Sequence, residues 1–289
     1  MQKHPKTGDI VSIMTTTLNP FSEIKSKTIV IKYGGSALGE HTQVQPLFQE
    51  IATLQAQGIQ VLLVHGGGPQ ISQMLSRLQI ESKHIDGLRI TDQETVEVAE
   101  MVLCGSINKR IVSSLQRVNV NALGLSGKDL NLFSVKPKKH ASVNLGYFGD
   151  VETINTSQIS FLLSQPLIPV IAPIGTDVSG ATFMLDADHL ASQIASALQA
   201  DKLFILTNVA GVLRDATNNT SVINALSSQE AEDLLNQGHI SGGMIPKLQS
   251  CIDAVKTGVS QAYIFNGETA NSLLMNASST ETIGTVLSL

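Results

Sequence analysis

The sequence has few of the features that define several common classes of protein. Its 289 residues include two cysteines, Cys104 and Cys251, which lie too far apart to suggest a disulfide framework or a metal-binding motif. The net charge is −5 at pH 7 and the basic run "KPKKH" is short, so no nucleic-acid partner is indicated. No apolar run reaches the roughly 18 residues of a membrane helix, and the first residues are too polar for a signal peptide. We therefore expect a soluble cytoplasmic protein.

Several well-known functional motifs are also missing. The sequence has no Walker A motif and no G-x-G-x-x-G that opens a helix after a strand. It has no internal repeat, which excludes solenoids and propellers, and no Ser-His-Asp or Cys-His arrangement for nucleophilic catalysis. Since 42% of the residues are hydrophobic and 15% are charged, the chain can still bury a large core, as one α/β domain or two lobes.

Strand-like and helix-like segments alternate along the chain, which is the pattern of βαβ units around a mostly parallel sheet. Predicted strands lie at 28–35, 59–69, 166–175, 202–213 and 261–267. Predicted helices lie at 44–58, 91–117, 186–200, 228–237 and 245–257. In the second of these helices, Thr91-x-x-Glu94 predicts a capping box and Gly105 predicts a break. Short β-type runs within 120–152 predict hairpins, which either cover a site or are only structural.

Four segments share one design, in which a strand ends in glycines or small polar residues. They are "KYGGSA" (32–37), "VHGGGP" (64–69), "IAPIGTD" (171–177) and "LTNVAGV" (206–212). Glycines at strand ends let main-chain N–H groups approach an anion, and a following helix adds partial positive charge. Each segment is also compatible with a simple tight turn that binds no ligand. Lys32 is likewise compatible with a surface position beside such a turn. Four such segments on one sheet edge favour a phosphate site.

Residues 28–286 contain a series of motifs in a fixed order, namely "IVIKYGGSA", "VHGGGPQI", "GLRITDQETVEVAEMVLCGSINK", "GYFGDV", "LTNVAGVL" and "SGGMIPK". Together they resemble the motifs of the amino-acid kinase family. These motifs are more similar to the branch that phosphorylates N-acetyl-L-glutamate than to aspartate, glutamate-5 or uridylate kinases. The resemblance implies a three-layer α/β/α sandwich around a mainly parallel open sheet, with the carbamate kinase-like fold. It also implies a substrate lobe at about 28–180 and an ATP lobe at about 181–289.

The same resemblance implies roles for individual residues. Lys32 and Lys247 would hold the transferring phosphoryl group, and Asp188 would orient both lysines. Residues that would bind the substrate are Gly67, Gly68, Arg89 and Asp186. Residues that would bind the nucleotide are Gly34, Gly35, Asn208, Val209, Ala210, Gly211, Val212, Leu213, His239, Ile240 and Ser241. ATP with Mg²⁺ is the implied cofactor, and no metal site made of protein side chains is expected.

The implied chemistry is consistent with the residues. A side-chain carboxylate has a pKa of about 4.3, so it is ionised at pH 7 and needs no general base. His65 is therefore better interpreted as a hydrogen-bonded structural residue at a strand end than as a base. In phosphoryl transfer the protein mainly positions the groups and neutralises charge, which two lysines and main-chain N–H groups can do.

Two substitutions within the motif "MLDAD" raise alternatives. Met184 and Asp186 stand where the family usually has asparagines, and a methionine cannot donate a hydrogen bond. We therefore predict weak binding of N-acetyl-L-glutamate, improved by Met184→Asn. One alternative is a kinase for another acylated or carrier-linked amino acid, such as aminoadipate. A second is a nucleotide-binding regulatory homologue with little turnover.

The resemblance also implies self-association. We expect a homodimer. In some family members an N-terminal helix links dimers into a hexamer, and residues 1–27 are a candidate for such an oligomerisation segment.

Overall fold

The computed structural model describes residues 28–34, 46–215, 217–218, 221–278 and 281–289. Gly35 and the N-terminal segment 1–27 therefore lie outside the described residues. Among the described helices, none is both long enough and apolar enough to cross a membrane.

The described strands and helices alternate along most of the chain. The strands are β1 (Thr28–Tyr33), β2 (Gln60–His65), β3 (Lys83–Ile85), β4 (Leu88–Ile90), β5 (Ala122–Ser126), β6 (Phe133–Pro137), β7 (Phe148–Ile154), β8 (Ile168–Ala172), β9 (Ile174–Thr176), β10 (Thr182–Leu185), β11 (Lys202–Thr207), β12 (Ala225–Ser227), β13 (Gln261–Asn266) and β14 (Thr285–Ser288). The α-helices are α1 (Pro46–Ala56), α2 (Gly68–Arg77), α3 (Gln93–Glu100), α4 (Asn108–Gln116), α5 (Thr156–Leu163), α6 (Ala187–Ala197), α7 (Ser228–Asn236), α8 (Met244–Lys256) and α9 (Ser272–Ser278). A π-helix, Met101–Ile107, joins α3 to α4.

The main sheet has eight strands in the order β12-β14-β13-β11-β1-β2-β8-β5. All neighbouring pairs are parallel except β13 and β14. Parallel strands separated by helices place those helices on both faces of a sheet. The two core clusters show this arrangement, since Ile29 and Ile31 of β1 belong to one cluster and Val30 belongs to the other.

Each cluster joins one face of the sheet to its own set of helices. Residues of α1, α2, α4 and α9 pack in the cluster with Ile29, whereas residues of α5, α6, α7 and α8 pack in the cluster with Val30. The main sheet is thus the middle layer of an α/β/α sandwich. The predicted fold class is confirmed.

Two smaller groups of strands lie outside the main sheet. Strands β6, β7, β9 and β10 form a small closed sheet, and β3 pairs with β4 as a hairpin. Strand β10 pairs with β7 through Met184 and Phe148. The small sheet and the hairpin contribute residues to the pocket described below.

Several local predictions differ from the structure. The strands predicted at 59–69 and 202–213 end earlier, at His65 and Thr207. The cap of α3 is Asp92, whose side chain accepts a hydrogen bond from the Thr95 N–H, so the capping box predicted at Thr91 is wrong by one residue. Gly105 does not break the helix, because it lies within the π-helix that joins α3 to α4. Strand β5 lies at the start of the segment that was predicted to form hairpins. It is instead an edge strand of the main sheet, where it pairs with β8.

Candidate active site

The carboxyl ends of neighbouring main-sheet strands meet at one edge, and Lys32 lies there. Lys32 is one residue from the end of β1 and pairs in register with Val64 of β2 and Ile205 of β11. Because these strands are parallel, the residues that follow each of them lie on the same side of the molecule. The Lys32 side chain is buried at this edge.

Asp188 joins two lysines that are distant in sequence. Its Oδ1 lies 2.9 Å from Lys32 Nζ, and its Oδ2 lies 2.7 Å from Lys247 Nζ. Asp188 is in the first turn of α6 and Lys247 is in the first turn of α8, so the packing of these two helices brings the groups together. The cluster carries two positive charges and one negative charge, which leaves a net positive charge for an anion.

Asp188 and Lys247 stabilise each other's charged forms near neutral pH. Burial alone would raise the pKa of Asp188, but Lys32 and Lys247 lower it to about 2. Burial alone would lower the pKa of Lys247, but the Asp188 carboxylate raises it above its ordinary value. Attraction between opposite charges in a buried setting is the physical reason for both shifts. Asp188 and Lys247 are therefore both ionised at pH 7.

Glycines surround the Lys32 side chain closely. A Cβ on Gly34 would lie 3.1 Å from Lys32 Nζ, and one on Gly66 would lie 3.9 Å from Lys32 Cε. The Gly66 N–H donates to the Tyr33 carbonyl oxygen at 2.9 Å, which extends the pairing of β1 and β2 past the strand ends. Main chain can therefore approach a ligand bound at Lys32 without side chains in the way.

A cavity of about 220 Å³ opens beside this cluster. Its lining combines the charged cluster and the glycines that follow β2 with apolar side chains. These lining residues include Lys32, Gly66, Gly67, Gly68, Ile71, Leu88, Arg89, Leu103, Phe148, Pro173, Met184, Asp186 and Asp188. The cavity thus offers a cationic end and an apolar wall to one small molecule.

Arg89 is the second cationic group of the cavity, and it is buried. Its guanidinium donates to the hydroxyl oxygens of Ser82 and Ser72 and to the Gly68 carbonyl oxygen. Burial lowers the pKa of Arg89 below its ordinary value, although the group stays charged. Among the described residues, no carboxylate forms an ion pair with Arg89. A ligand carboxylate would therefore supply the missing negative charge.

Asp186 and Met184 also line the cavity, but Asp186 has a local structural partner. Asp186 caps α6, because its Oδ1 accepts the His189 N–H at 2.8 Å. Burial and the neighbouring Asp188 raise the pKa of Asp186. Met184 is buried, and its Sδ lies 3.5 Å from the Thr91 hydroxyl oxygen. The effect of both residues on substrate binding stays a prediction.

The predicted nucleotide segments do not line this cavity. Residues 208–213 follow β11, where the Val212 N–H donates to the Thr285 hydroxyl at 2.9 Å and Leu213 pairs with Val222. Residues 239–241 lie shortly before α8, which carries Lys247, and Ile240 is buried in the core. Both segments lie next to elements that carry the charged cluster, but their role in nucleotide binding stays a prediction.

Some residues of the site were not predicted from sequence. Ser72 and Ser82 orient Arg89, and Thr91 contacts both the Arg89 carbonyl oxygen and Met184. Serine and threonine hydroxyls occur throughout the chain, so no local pattern distinguishes these three. No cluster of His, Cys, Asp or Glu suited to a metal ion occurs in the part of the chain that the structure describes.

The chain belongs to the amino acid kinase family, whose model matches residues 27–266. Its relatives include the acetylglutamate kinase of Thermoanaerobacter pseudethanolicus, which is 40% identical across 99% of this chain and 97% of that protein. The acetylglutamate kinase of Rhizobium leguminosarum bv. trifolii is 44% identical across 93% of this chain and 94% of its own length. The family predicted from the motifs is confirmed.

Solved structures share the fold as well. N-acetylglutamate synthase from Neisseria gonorrhoeae, complexed with coenzyme A and N-acetyl-glutamate, superposes with a TM-score of 0.83 at 25% identity. That alignment covers 96% of this chain but 63% of the synthase, so this chain spans less than two thirds of that protein. Carbamate kinase from Giardia lamblia bound to AMP-PNP has a TM-score of 0.67 at 19% identity, over 91% of this chain and 98% of that chain, which shows the shared fold.

Proposed function

We propose that this protein uses ATP to phosphorylate the side-chain carboxylate of N-acetyl-L-glutamate, forming N-acetylglutamyl 5-phosphate for arginine biosynthesis. The observation that carries the proposal is the cluster of Lys32, Asp188 and Lys247 beside a cavity that also contains Arg89. The lysine cluster is suited to a phosphoryl group, and Arg89 is suited to a carboxylate. The named acetylglutamate kinases that match nearly the whole chain support the same substrate.

The reaction follows from these positions. A carboxylate oxygen of the substrate attacks the γ-phosphorus of ATP, the bond from that phosphorus to the β,γ-bridging oxygen breaks, and ADP leaves. Negative charge on the transferring group is stabilised by Lys32 and Lys247, while Asp188 keeps the two ammonium groups in place. No proton has to be removed from the nucleophile, so the site needs no general base.

Substrate recognition uses the other parts of the cavity. Arg89, which has no carboxylate partner among the described residues, binds the α-carboxylate of the substrate as a charge-assisted hydrogen-bond donor. The N–H groups of Gly67 and Gly68 bind substrate oxygens at the start of α2. Apolar side chains such as Leu88, Phe148 and Met184 contact the acetyl group and the methylene chain.

The nucleotide carries the metal in this proposal. Both carboxylate oxygens of Asp188 form ion pairs with lysines, and Asp186 uses its Oδ1 to cap α6. Mg²⁺ is commonly held by nucleotide phosphates together with few protein groups. When bound, it neutralises phosphate charge during the transfer. Residues 208–213 and 239–241, together with Gly34 and Gly35, would hold ATP.

A hydroxylamine-trapping assay tests the function directly. Purified protein is incubated with ATP, Mg²⁺ and N-acetyl-L-glutamate, and the acyl phosphate is detected as its hydroxamate while ADP release is measured in parallel. We expect ADP and hydroxamate in equal amounts. L-glutamate without the acetyl group is the matched control, and it should react far more slowly because the acetyl contacts are lost.

A panel of acylated substrates distinguishes the alternative functions. N-acetyl-L-aminoadipate has one additional methylene, and the apolar surface that Met184 contributes is the observation in its favour. Faster turnover of N-acetyl-L-aminoadipate than of N-acetyl-L-glutamate would reassign the substrate. No turnover of any acylated dicarboxylic acid, together with tight ATP binding, would favour a regulatory homologue.

A further inference from the structure

His65 is a buried titratable residue that the proposed reaction does not use. It ends β2, its ring is fully buried, and the glycines 66–68 that line the cavity follow it directly. Its two ring nitrogens have separate partners. Nδ1 lies 3.1 Å from the Gly66 carbonyl oxygen, and Nε2 lies 3.2 Å from Nδ2 of Asn108.

The partners of Asn108 determine which way its amide group faces. Its Nδ2 lies 2.9 Å from the Val170 carbonyl oxygen, which can only accept a hydrogen bond. Its Oδ1 lies 3.2 Å from the Lys109 ammonium, which can only donate one. The Asn108 amide therefore presents N–H to His65, and Nε2 of His65 must carry a lone pair.

This arrangement defines the protonation of His65. Since Nε2 accepts a hydrogen bond, the single proton of the neutral ring is on Nδ1, where it is donated to the Gly66 carbonyl oxygen. Burial lowers the pKa of His65 to about 4, so the ring is neutral at pH 7. A neutral ring with a defined tautomer is thus a hydrogen-bond donor to the glycine turn.

The bond to Gly66 has a geometric consequence for the next residue. In a planar trans peptide, the C=O of one residue and the N–H of the following residue point in opposite directions. Because the Gly66 carbonyl oxygen is held by the buried ring, the Gly67 N–H is directed away from the ring, and Gly67 itself lines the cavity. The bond from the Gly66 N–H to Tyr33 holds the preceding peptide.

The π-helix connects Asn108 to the same turn. Asn108 is the residue that follows Met101–Ile107, and a Cβ on Gly67 would lie 2.3 Å from Ile107 Cδ1. A Cβ on Gly124 of β5 would lie 1.9 Å from Asn108 Oδ1, so the neighbouring strand also leaves space for this side chain. π-helical turns occur often at functional sites.

We propose that His65 and Asn108 are positioning residues for the phosphoryl-transfer site: Asn108 sets the tautomer of His65, and His65 orients the Gly66–Gly67 peptide so that the Gly67 N–H faces the substrate. The proposal rests on the proposed function for the identity of that substrate. Neither side chain contacts the reacting atoms, so both act through the main chain.

Two substitutions of His65 separate its two nitrogens. His65→Asn keeps an N–H donor near the position of Nδ1, whereas His65→Gln keeps an acceptor near the position of Nε2 and loses the donor to Gly66. We expect His65→Asn to retain most of the kcat with N-acetyl-L-glutamate. His65→Gln should lose about a hundredfold in kcat, as expected for a small displacement of a catalytic group, with little change in the KM for ATP. Equal kcat values for the two variants would overturn the proposal.

Leu115→Ala is the control for general destabilisation. Leu115 is fully buried on α4, the helix that begins with Asn108, and it lies near the other end of that helix. Thermal unfolding followed by circular dichroism ranks all three variants by stability. Leu115→Ala should unfold at a lower temperature than the natural protein and keep its kcat. A kcat loss in Leu115→Ala as large as that of His65→Gln would show that stability explains the effect, and the proposal would fail.

Nuclear magnetic resonance of ¹⁵N-histidine-labelled protein gives a readout that does not need activity. We expect the ring of His65 to be protonated on Nδ1 at pH 8, and to move its proton to Nε2 in Asn108→Asp, where a carboxylate replaces the donor. A proton on Nε2 in the natural protein would overturn the inference. Absence of N-acetyl-L-glutamate turnover in the natural protein would instead overturn the proposed function. The tautomer of His65 would still test the inference about His65 and Asn108 in that case.

Discussion

Lys247 is a residue whose position predicts a specific kinetic effect. Its Nζ lies 2.7 Å from Asp188, which also pairs with Lys32, so the cluster keeps its shape only while all three side chains are present. Lys247→Met should lower kcat by about a hundredfold or more, because loss of one preorganised charge-stabilising donor has that effect. Steady-state assays with N-acetyl-L-glutamate and ATP measure it, and the KM for ATP should change less than kcat.

Lys256→Met is the matched control for that experiment. Lys256 is on the same helix, α8, and pairs with Glu232 away from the cavity. Its removal should leave kcat unchanged, because ion pairs of this exposed kind contribute little. Normal turnover in Lys247→Met would contradict the role of the charged cluster.

At the scale of secondary-structure elements, the contact of the π-helix with the glycine turn predicts a packing effect. The need for glycine at position 67 is steric, because neighbouring side chains leave no space for a Cβ. A Cβ there would lie 2.3 Å from Ile107 Cδ1 and 2.8 Å from Leu103 Cδ2. Gly67→Ala should lower the free energy of unfolding by about 1–3 kcal/mol, as overpacking does, and also lower kcat/KM.

Gly105→Ala provides the comparison within the same π-helix. A Cβ on Gly105 would have no heavy atom within 4 Å, so this variant should unfold at the same denaturant concentration as the natural protein or a higher one. Guanidinium titrations of both variants measure the difference. Equal stability of Gly67→Ala and Gly105→Ala would contradict this prediction. It would mean that the π-helix shifts to accommodate the added methyl group with no loss of stability.

Helix α9 predicts a second effect at this scale, because buried charges hold both of its ends. The Glu50 carboxylate of α1 accepts the N–H groups of Asn271, Leu273 and Leu274 at 2.9, 3.0 and 3.2 Å. The Lys202 ammonium donates to the carbonyl oxygens of residues 276 and 277 at the other end. These contacts match the helix dipole, which favours negative charge at the amino end and positive charge at the carboxyl end.

Glu50→Ala should therefore destabilise the protein. It leaves three main-chain N–H groups without their acceptor, and unsatisfied buried groups of this kind cost about 1–3 kcal/mol each before relaxation. We expect the free energy of unfolding, measured by urea denaturation, to fall by at least about 2 kcal/mol. The exposed neighbour Gln49 is the control, and Gln49→Ala should have almost no effect. Equal stability of Glu50→Ala and Gln49→Ala would contradict this prediction, because it would show that water satisfies the three N–H groups in place of Glu50.

The whole molecule is predicted to self-associate. The family resemblance implies a homodimer, and two-fold dimers are the commonest oligomers of soluble proteins. Light scattering at micromolar concentration should give about twice the chain mass of 30.7 kDa, or six times that mass if the N-terminal segment links dimers. A monomer would contradict the first expectation. A hexamer that persists after deletion of residues 1–26 would contradict the role of that segment.

The sequence by itself was sufficient for the fold class and for the identity of several candidate residues. Strand and helix periodicities are local, so the βα alternation and the glycines after β1 and β2 could be recognised from neighbouring residues. Motifs such as "GLRITD" and "SGGMIPK" pointed to Arg89 and Lys247 through their resemblance to the amino acid kinase family. The boundaries were less certain, because capping depends on single side chains, as Thr91 and Asp92 illustrate.

Only the tertiary structure decided which distant residues meet and what each side chain contacts. Lys32, Asp188 and Lys247 come from three separate elements, and their contacts of 2.7–2.9 Å depend on strand order and on the packing of α6 against α8. The pairing of Asn108 with His65 likewise requires the π-helix to lie over the end of β2. Such long-range hydrogen bonds and ion pairs leave no periodic signal in the sequence, because they form only after the sheet has brought the segments together.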